Sequence, residues 1–345
     1  MQNTSKINQV MGPALVMLIA VAGLYYVKWS PYYARAFAAA ANHAIGKSIL
    51  MGTEAKAPAP SWDAALGYAM AYGKAIWQAM VLGLLLGSAI QALLPAGLIA
   101  RLLGRRGVGP LVAAGLISLP GMMCTCCAAP VVVGLRKERA TPGAAMAFWL
   151  GNTVLNPATL VFIGFVLGWN WAGLRLALGA VMVFGLGYLV NRVSPPDEIV
   201  ETVVPEPEVR GNPFVRWLGI LARMAVRLIP EYVVIVLALG AARAWLFPVI
   251  GPDIDDSLIW IVAFAVAGTL FVIPTAGEVP IIQAMLTLGM GAGPAGALLM
   301  TLPPVSLPSL AMLARSFHPR ALALSAGGVV LMGIIGGVLA IALGL

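Results

Sequence analysis

The stretch "PGMMCTCCAAP", Pro120–Pro130, interrupts one of the long apolar runs of this sequence. It contains all three cysteines of the 345-residue chain, namely Cys124, Cys126 and Cys127. Proline removes a backbone donor and breaks a helix. The stretch therefore predicts a break inside an apolar helix, at which three thiols and two methionine thioethers are gathered.

Composition indicates that this break lies inside a membrane. The chain is 61% hydrophobic and only 10% charged, which leaves too little polar surface for a soluble fold. The formal net charge is +8, but the basic residues form short clusters between apolar runs and are not interleaved with aromatic residues. This pattern excludes nucleic acid as a partner. It is typical of the cytoplasmic loops of a polytopic, all-α protein of the lipid bilayer.

Seven apolar runs predict transmembrane helices, which need about 20 residues to cross the hydrocarbon. They are Met11–Val27, Ala69–Leu94, Thr141–Leu167, Trp171–Val190, Trp217–Phe247, Pro294–Ala314 and Ala321–Leu345. Two further regions, Gly109–Leu135 and Ser257–Met290, are apolar but broken. The first run is interpreted as a retained span, because the alanine-rich stretch after it lies too far away for a signal-peptide cleavage site.

The two halves of the chain predict an internal duplication. Five prolines recur in step: Pro95 with Pro248, Pro120 with Pro274, Pro130 with Pro280, Pro142 with Pro294, and Pro157 with Pro308. The separation of each pair stays close to that of the others, and a fixed period is the signature of a repeat. The domain boundaries that follow are an N-terminal helix and extracytoplasmic segment at 1–67, repeats at 68–193 and 217–345, and a polar, proline-rich cytoplasmic linker at 194–216.

The charges of the loops predict how the two repeats are oriented. If each broken region enters and leaves on one face as a re-entrant hairpin, the basic loops all fall on the cytoplasmic side. Each repeat then has three full spans and one hairpin, and this odd number inverts the second repeat. The hairpin tips, Pro120–Pro130 and Ile273–Pro280, are expected to meet near the midplane. Inverted repeats with broken helices at the midplane are typical of secondary transporters.

The three cysteines are the leading candidates for a substrate or metal site. Thiolates and thioethers are soft donors that select thiophilic metals and metalloids, and Met123 could add a weak ligand. The alternative is that the cysteines are small apolar packing residues. Neighbours this close do not make a disulfide framework. The two histidines, His43 and His318, are too far away in sequence to complete a zinc site.

Polar residues near the breaks are further candidates for the substrate site. Glu278 lies beside Thr275 in the second tip, and an ionisable group at membrane depth usually marks a substrate or proton path. It could also cap the half-helix that follows. Asn152 and Asn156 lie one turn apart in an apolar span. Their amides either line a polar cavity or satisfy the carbonyls that Pro157 leaves free.

The two tips resemble a bacterial family of predicted permeases that includes the ArsP-type organoarsenical efflux permeases and the YraQ-type proteins. The first half of the family typically has Cys-Ser-Cys-Gly, a proline, a short basic turn, Ser-Pro-Gly-Ala and Asn-Pro. Here these motifs read "CTCCAAPVVVGLRKERATPGAAMAFWLGNTVLNPATL". The second half has Pro-Thr, Glu-Val-Pro and Ser-Leu-Pro. Here it reads "IPTAGEVPIIQAMLTLGMGAGPAGALLMTLPPVSLPSL".

The resemblance implies a permease of the bacterial inner membrane, and efflux of trivalent organoarsenicals is the best-defined activity of the family. Cys124 and Cys126 match the paired cysteines of the family, and Asn156 and Glu278 match its other motifs. Cys127 stands where glycine is expected. A third thiol suits an inorganic trivalent metalloid or a metal ion better than a methylated arsenical.

The sequence thus predicts a secondary transporter that exports a thiophilic metalloid or metal species. Its expected partners are the lipid bilayer and that substrate, and self-association into a homo-oligomer is allowed. Two alternatives stay open: a permease for a sulfur or glutathione-linked compound, and a membrane thiol-redox protein. No hydrolase pattern and no cofactor motif is recognised in the sequence, so neither an enzyme nor a bound cofactor is expected.

Overall fold

The computed structural model describes residues 2–50, 57–95, 97–195, 213–247 and 250–345, with side chains from residue 11 onward. The regular elements in these ranges are helices. Most of the linker predicted at 194–216, and Pro248 of the proline register, lie outside the described residues. Six helices of the described ranges are long and apolar enough to cross a membrane, as expected of a polytopic, all-α membrane protein.

The described residues of the N-terminal part and the first half form nine α-helices. They are α1 Gln2–Leu24, α2 Ser30–Asn42, α3 Trp62–Leu93, α4 Leu98–Leu103, α5 Val108–Ser118, α6 Thr125–Lys137, α7 Pro142–Val154, α8 Pro157–Val166 and α9 Trp169–Val193. A π-helical turn, Tyr25–Trp29, joins α1 to α2. The predicted first span, Met11–Val27, is therefore too short, because the helix continues through the alanine-rich stretch and ends at His43 with a positive φ of 49°.

The second half repeats the order of the first. Its helices are α10 Pro213–Leu246, α11 Leu258–Leu270, α12 Glu278–Thr287, α13 Ala292–Thr301, α14 Leu307–Leu313 and α15 Pro319–Ala342. Equivalent contacts recur: α7 packs on α9 as α13 packs on α15, and α5 packs on α7 as α11 packs on α13. Among the described residues, each half therefore presents one long helix, four shorter helices in two broken pairs (α5–α6 and α7–α8, or α11–α12 and α13–α14), and a final long helix, and the first half adds the short helix α4.

Two predicted spans are not continuous helices. Thr141–Leu167 is broken after α7, where Asn156 leaves the helix and Pro157 starts α8. Pro294–Ala314 is broken between α13 and α14, because the adjacent Pro303 and Pro304 have no N–H groups to continue the helix. The run Pro294–Ala314 is therefore not one continuous helix as predicted, whereas Pro142–Val166 is long enough to span in spite of its break.

Both predicted broken regions are broken, but the breaks are narrower than the proline brackets suggested. The first break runs from the end of α5 to the start of α6, so Pro130 lies inside α6. The second separates α11 from α12, and Pro280 is the third residue of α12. A proline in the first turn of a helix costs no hydrogen bond, and neighbouring groups can satisfy one that lies deeper.

The outer ends of α5 and α6 lie beside each other, and so do the outer ends of α11 and α12. The backbone N–H of Thr141, just after α6, donates to the carbonyl of Leu103, just before α5, at 2.9 Å. In the second half the N–H of Gly291, after α12, donates to the carbonyl of Ile254, before α11, at 2.8 Å. Each pair is thus closed at its base by one backbone hydrogen bond.

Loops from both halves meet at the end of the molecule that carries the base of α5 and α6. Arg136 donates to the carbonyl of Ser316 at 3.0 Å, and Arg106 donates to the carbonyl of Asn191 at 2.8 Å. At the base of the other pair, Asp256 accepts a hydrogen bond from the N–H of Gly293 at 2.7 Å. The hydroxyl and backbone N–H of neighbouring Ser257 hold the pKa of the exposed Asp255 carboxyl below its usual range.

Helix α6 is held against α3 by backbone contact. A Cβ placed on Gly83 of α3 would lie 2.0 Å from the carbonyl oxygen of Cys127, and one on Gly87 would lie 2.2 Å from that of Pro130. Only glycine permits so close an approach, and membrane helices commonly pack through such small residues. This contact fixes the position of the cysteine-bearing helix relative to the long helix α3.

Candidate functional site

Side chains from other helices satisfy the backbone at the first break. The indole of Trp29 donates to the carbonyl of Pro120 at 2.8 Å, and the N–H of Met123 donates to Asn152 Oδ1 at 2.9 Å. Met122 has a φ of 46°, in the left-handed region that few non-glycine residues adopt. Non-helical backbone at membrane depth is tolerated when protein groups satisfy it in this way.

The second break is held by tyrosines of α3 and by a lysine of the N-terminal helix. The hydroxyls of Tyr68 and Tyr72 donate to the carbonyls of Val272 and Ile273. Lys28 Nζ donates to Thr275 Oγ1 at 3.0 Å. Here too a non-glycine residue, Ala276, has a positive φ, of 63°. The two breaks are therefore built alike and share the surrounding helices.

The structure separates the three thiols into a pair and a single residue. Cys124 is the N-cap residue of α6, and its Sγ lies 2.8 Å from the Sγ of Cys127. Both are free, buried thiols. Cys126 faces a hydroxyl cluster instead, with its Sγ 3.8 Å from Ser306 Oγ and 3.9 Å from the hydroxyl of Tyr72. The closest sulfur pair is therefore Cys124 with Cys127, and not Cys124 with Cys126.

A small inner cavity lies between the two breaks. It measures about 10 Å³ and is lined by residues of both breaks, among them Met123, Cys124, Thr275 and Glu278. A cavity of this size holds about one water molecule. Four of the predicted site residues thus line one space, although Cys124 and Glu278 are 154 positions apart in the sequence.

Glu278 has a strong partner that the sequence analysis did not anticipate. Its Oε1 lies 3.3 Å from Nη2 of Arg175 on α9, and the two side chains are 1% and 0% exposed. The guanidinium also donates to the carbonyls of Thr153, Val154 and Leu299, at the ends of α7 and near the end of α13. The second carboxylate oxygen of Glu278 is buried and has no hydrogen-bond partner among the described residues.

The two asparagines make local hydrogen bonds to backbone. Asn152 accepts from Met123 as described, and Asn156 Oδ1 accepts from the N–H groups of Ala158 and Thr159 as the N-cap of α8. The Nδ2 of Asn156 is buried without a partner in the described part of the chain. Neither amide is among the residues that line the inner cavity.

No group of three or more His, Cys, Asp or Glu side chains within the described residues is arranged to hold a metal ion. A three-cysteine metal site at Cys124, Cys126 and Cys127 therefore stays a prediction. Of the three cysteines, Cys124 and Cys127 have the closest sulfur atoms, 2.8 Å apart, and could form a two-sulfur site.

Two buried cations were missed at the sequence level, Lys28 and Arg175. Each interrupts an otherwise apolar run, in "LYYVKWSPYY" and "WAGLRLALGA". Ionisable residues inside transmembrane segments usually mark a functional site, so this signal was present in the sequence. Their proximity to the breaks was not, because Lys28 and Thr275 are 247 positions apart.

A multi-pass helical membrane protein, in which buried ionisable groups and thiols converge on paired helix breaks, has the construction of a membrane transporter. The ArsP_1 family, described as "Predicted permease", matches residues 61–341. The chain is also 53% identical over 331 residues to the UPF0718 protein YraQ of Escherichia coli (strain K12), covering 95% of this chain and 94% of that protein. The chain therefore belongs to this predicted permease family. No solved structure matches it.

Proposed function

We propose that this permease is a secondary transporter built from two inverted repeats, at 68–193 and 217–345, with α5–α6 and α11–α12 as re-entrant hairpins. The backbone hydrogen bonds that close the base of each pair support the hairpins. The basic loops around Arg106 and Arg136 gather at the base of α5–α6, which supports a cytoplasmic position for that base. Two hairpins entering from opposite faces bring their tips together near the midplane.

The substrate we propose is a thiophilic metalloid or metal species, with trivalent arsenicals as the leading class. The observation that carries this proposal is the pair of thiols at the tip of the first hairpin, Cys124 and Cys127, with their sulfur atoms 2.8 Å apart beside the inner cavity. Two thiols bind an organoarsenical R–As(OH)₂ by exchange. Each As–S bond replaces an As–OH bond, and each thiol proton leaves with a hydroxyl group as water, so the step needs no oxidant.

The bacterial inner membrane is proposed as the location, in keeping with the Escherichia coli relative, and export as the direction, after the organoarsenical efflux permeases that the tips resemble. Ligand exchange makes binding to two thiols reversible, which a carrier requires. Glu278 is proposed to couple transport to protons, because its second oxygen is buried, unpartnered among the described residues and beside the cavity that Cys124 lines. Its ion pair with Arg175 holds the carboxylate in place.

Binding and transport of methylarsenite by serine variants test this site. Serine is nearly isosteric with cysteine but replaces a soft donor by a hard one. We expect Cys124→Ser and Cys127→Ser each to weaken binding by about tenfold or more, a loss of about 1.4 kcal/mol. Cys126→Ser is the matched control and should bind nearly as the parent does. Bound arsenic is measured on the purified protein by mass spectrometry, and uptake is measured in energised inside-out vesicles.

The outcome that contradicts the proposal is parental transport by both Cys124→Ser and Cys127→Ser. In that case the thiols are packing residues. Loss of binding in Cys124→Ser and Cys126→Ser, with Cys127→Ser unaffected, would instead show that a different pair of thiols binds the substrate.

A second candidate function is thiol-redox exchange with a disulfide-containing partner. The spacing Cys124-x-x-Cys127 at the start of a helix favours it, because a helix N-terminus stabilises a thiolate. Such exchange converts the two thiols to a disulfide and reduces the partner disulfide to two thiols. Equilibration with glutathione and its disulfide, followed by thiol counting, separates the two functions. A transporter site keeps both thiols reduced under conditions in which a redox site is oxidised.

A further inference from the structure

We propose that the transported species carries an anionic group, and that this group binds in a second, larger cavity beside the inner one. This cavity, called the basic cavity here, measures about 250 Å³ and lies between the N-terminal helix, α3 and the second break. Lys28, Arg35 and Lys47 are the cations that line it. The inference rests on the proposed thiol site and adds the chemical class of the substrate.

The charge of the basic cavity is of one sign. Its three cations face a lining that contains no carboxylate among the described side chains. Arg35 and Lys47 are exposed at the rim, whereas Lys28 is only 5% exposed and lies at the inner end. A cavity lined by one sign of charge between low-dielectric walls concentrates ions of the opposite sign. Its geometry is therefore suited to draw an anion from the surface toward Lys28.

Lys28 is buried, and none of the described side chains that line its cavity is a carboxylate. Its hydrogen-bond partners are two hydroxyl groups, those of Thr275 at 3.0 Å and Tyr32 at 3.3 Å. Removing a charge from water is costly unless an opposite charge accompanies it. Arg175, the other buried cation of the site, has such a partner in Glu278. A bound anionic group would supply such a partner for Lys28.

The basic cavity and the inner cavity that Cys124 lines lie on either side of the second break. Pro274, Thr275 and Ala276 line both the basic cavity and the inner cavity, so the second break forms the partition between them. Lys28 lies within electrostatic range of Cys124 and Cys127. One small molecule can therefore place its anionic group against Lys28 while its thiophilic centre approaches Cys124.

Two aryl arsenicals that differ in charge alone test this inference. The probes are 4-carboxyphenylarsine oxide, which is anionic, and its neutral 4-carbamoyl analogue, with binding measured on the full-length protein in phosphatidylcholine nanodiscs. We expect the anion to bind about tenfold more tightly, equivalent to about 1.4 kcal/mol. Lys28→Met should remove this preference, and Arg35→Ala and Lys47→Ala should each reduce it. Lys74→Ala is the matched control, since Lys74 is exposed on α3 and is not among the lining residues.

Measuring both probes on the cysteine variants distinguishes a failure of the anion inference from a failure of the thiol site. Equal affinity for both probes, with binding still dependent on Cys124, overturns the anion inference and leaves the thiol site intact. A retained preference for the anion in Cys124→Ser, with unchanged affinity, overturns the thiol site and supports the anion site. Lys28→Arg preserves charge and should keep the preference, which guards against misreading a folding defect in Lys28→Met.

A lipid headgroup is the other source of an anionic group at this position. Nanodiscs that contain phosphatidylglycerol distinguish it from a soluble ligand. Unchanged preference for the anionic arsenical in these nanodiscs supports the inference. Loss of the preference on adding the anionic lipid means that a headgroup occupies the cavity, and overturns it.

Discussion

At the scale of single residues, the centre of the molecule is organised by one buried ion pair. Arg175 ties together four elements, because it pairs with Glu278 of α12 from its position on α9 and donates to carbonyls of α7 and α13. Both side chains are almost completely buried. A buried pair of this kind is costly to assemble and still more costly to break, because removal of one partner leaves the other as an uncompensated buried charge.

Removal of Arg175 is therefore expected to destabilise the protein strongly. Arg175→Met leaves Glu278 unpaired and should cost about 3–5 kcal/mol in the free energy of unfolding. The double variant Arg175→Met with Glu278→Gln should recover part of that loss. Arg315→Met is the matched control, since its pair with Glu231 is 55% and 43% exposed and is worth about 1 kcal/mol or less. Thermal unfolding of purified protein measures all three. Equal losses in Arg175→Met and Arg315→Met would contradict the assignment.

The single variant Glu278→Gln tests the proposed role of Glu278 in coupling transport to protons. Glutamine retains an oxygen that can accept from Arg175 but cannot exchange a proton. Under the proposal, the variant binds methylarsenite as the parent does while transport slows and loses its dependence on pH. Parental transport with parental pH dependence would leave Glu278 as a purely structural partner of Arg175.

At the scale of elements, the contact between α3 and α6 positions the thiol pair. Gly83 and Gly87 bring the backbone of α3 against the carbonyls of Cys127 and Pro130. Because α6 begins at the break and is only 13 residues long, this contact is a main determinant of where Cys124 and Cys127 lie. The geometry of the thiol pair thus depends on two glycines in a different helix.

Gly83→Ala is expected to push α6 away from α3. The new Cβ would lie 2.0 Å from the carbonyl oxygen of Cys127, a backbone atom that cannot rotate away. Overpacking of this kind costs about 1–3 kcal/mol, and methylarsenite affinity should fall with it. Gly73→Ala is the control, because nothing lies within 4 Å of its added Cβ and alanine is the better helix former by about 1 kcal/mol. Similar unfolding temperatures for the two variants would contradict the proposed contact.

The elements also show what could be predicted from sequence. Proline and glycine marked both central breaks, because they act on the local backbone. Which thiols meet could not be predicted, since it depends on where α6 begins. Cys124 is the N-cap of α6, and successive residues of a helix are rotated by about 100°. Cys127, three positions on, therefore lies near Cys124, whereas Cys126 lies on a different face of the helix. The contacts of Lys28 with Thr275, and of Arg175 with Glu278, join distant segments and leave no local pattern.

At the scale of the whole molecule, the apolar surface is consistent with a position in the bilayer. Large hydrophobic side chains are exposed on several of the long helices, among them Trp77, Val226 and Ile335, which would be unfavourable in water. Cys124 and Glu278, which line the inner cavity, are instead buried. The repeated order of elements could be predicted from the prolines. The breaks inside Thr141–Leu167 and Pro294–Ala314 were partly missed, because each lies within a single apolar run.

The proposed inverted topology predicts on which side of the membrane each loop lies. In a background with all three native cysteines replaced by serine, we expect Arg105→Cys, Arg139→Cys and Arg320→Cys to react with an impermeant maleimide in inside-out vesicles only. Trp169→Cys and Asp253→Cys should react in right-side-out vesicles only. All five positions are exposed, so absence of labelling reflects the side of the membrane. The unsubstituted background is the control for non-specific labelling. Arg105 and Arg139 flank the first broken pair, so labelling them from opposite sides would mean that α5–α6 crosses the membrane, and the hairpin and the inversion would both be wrong.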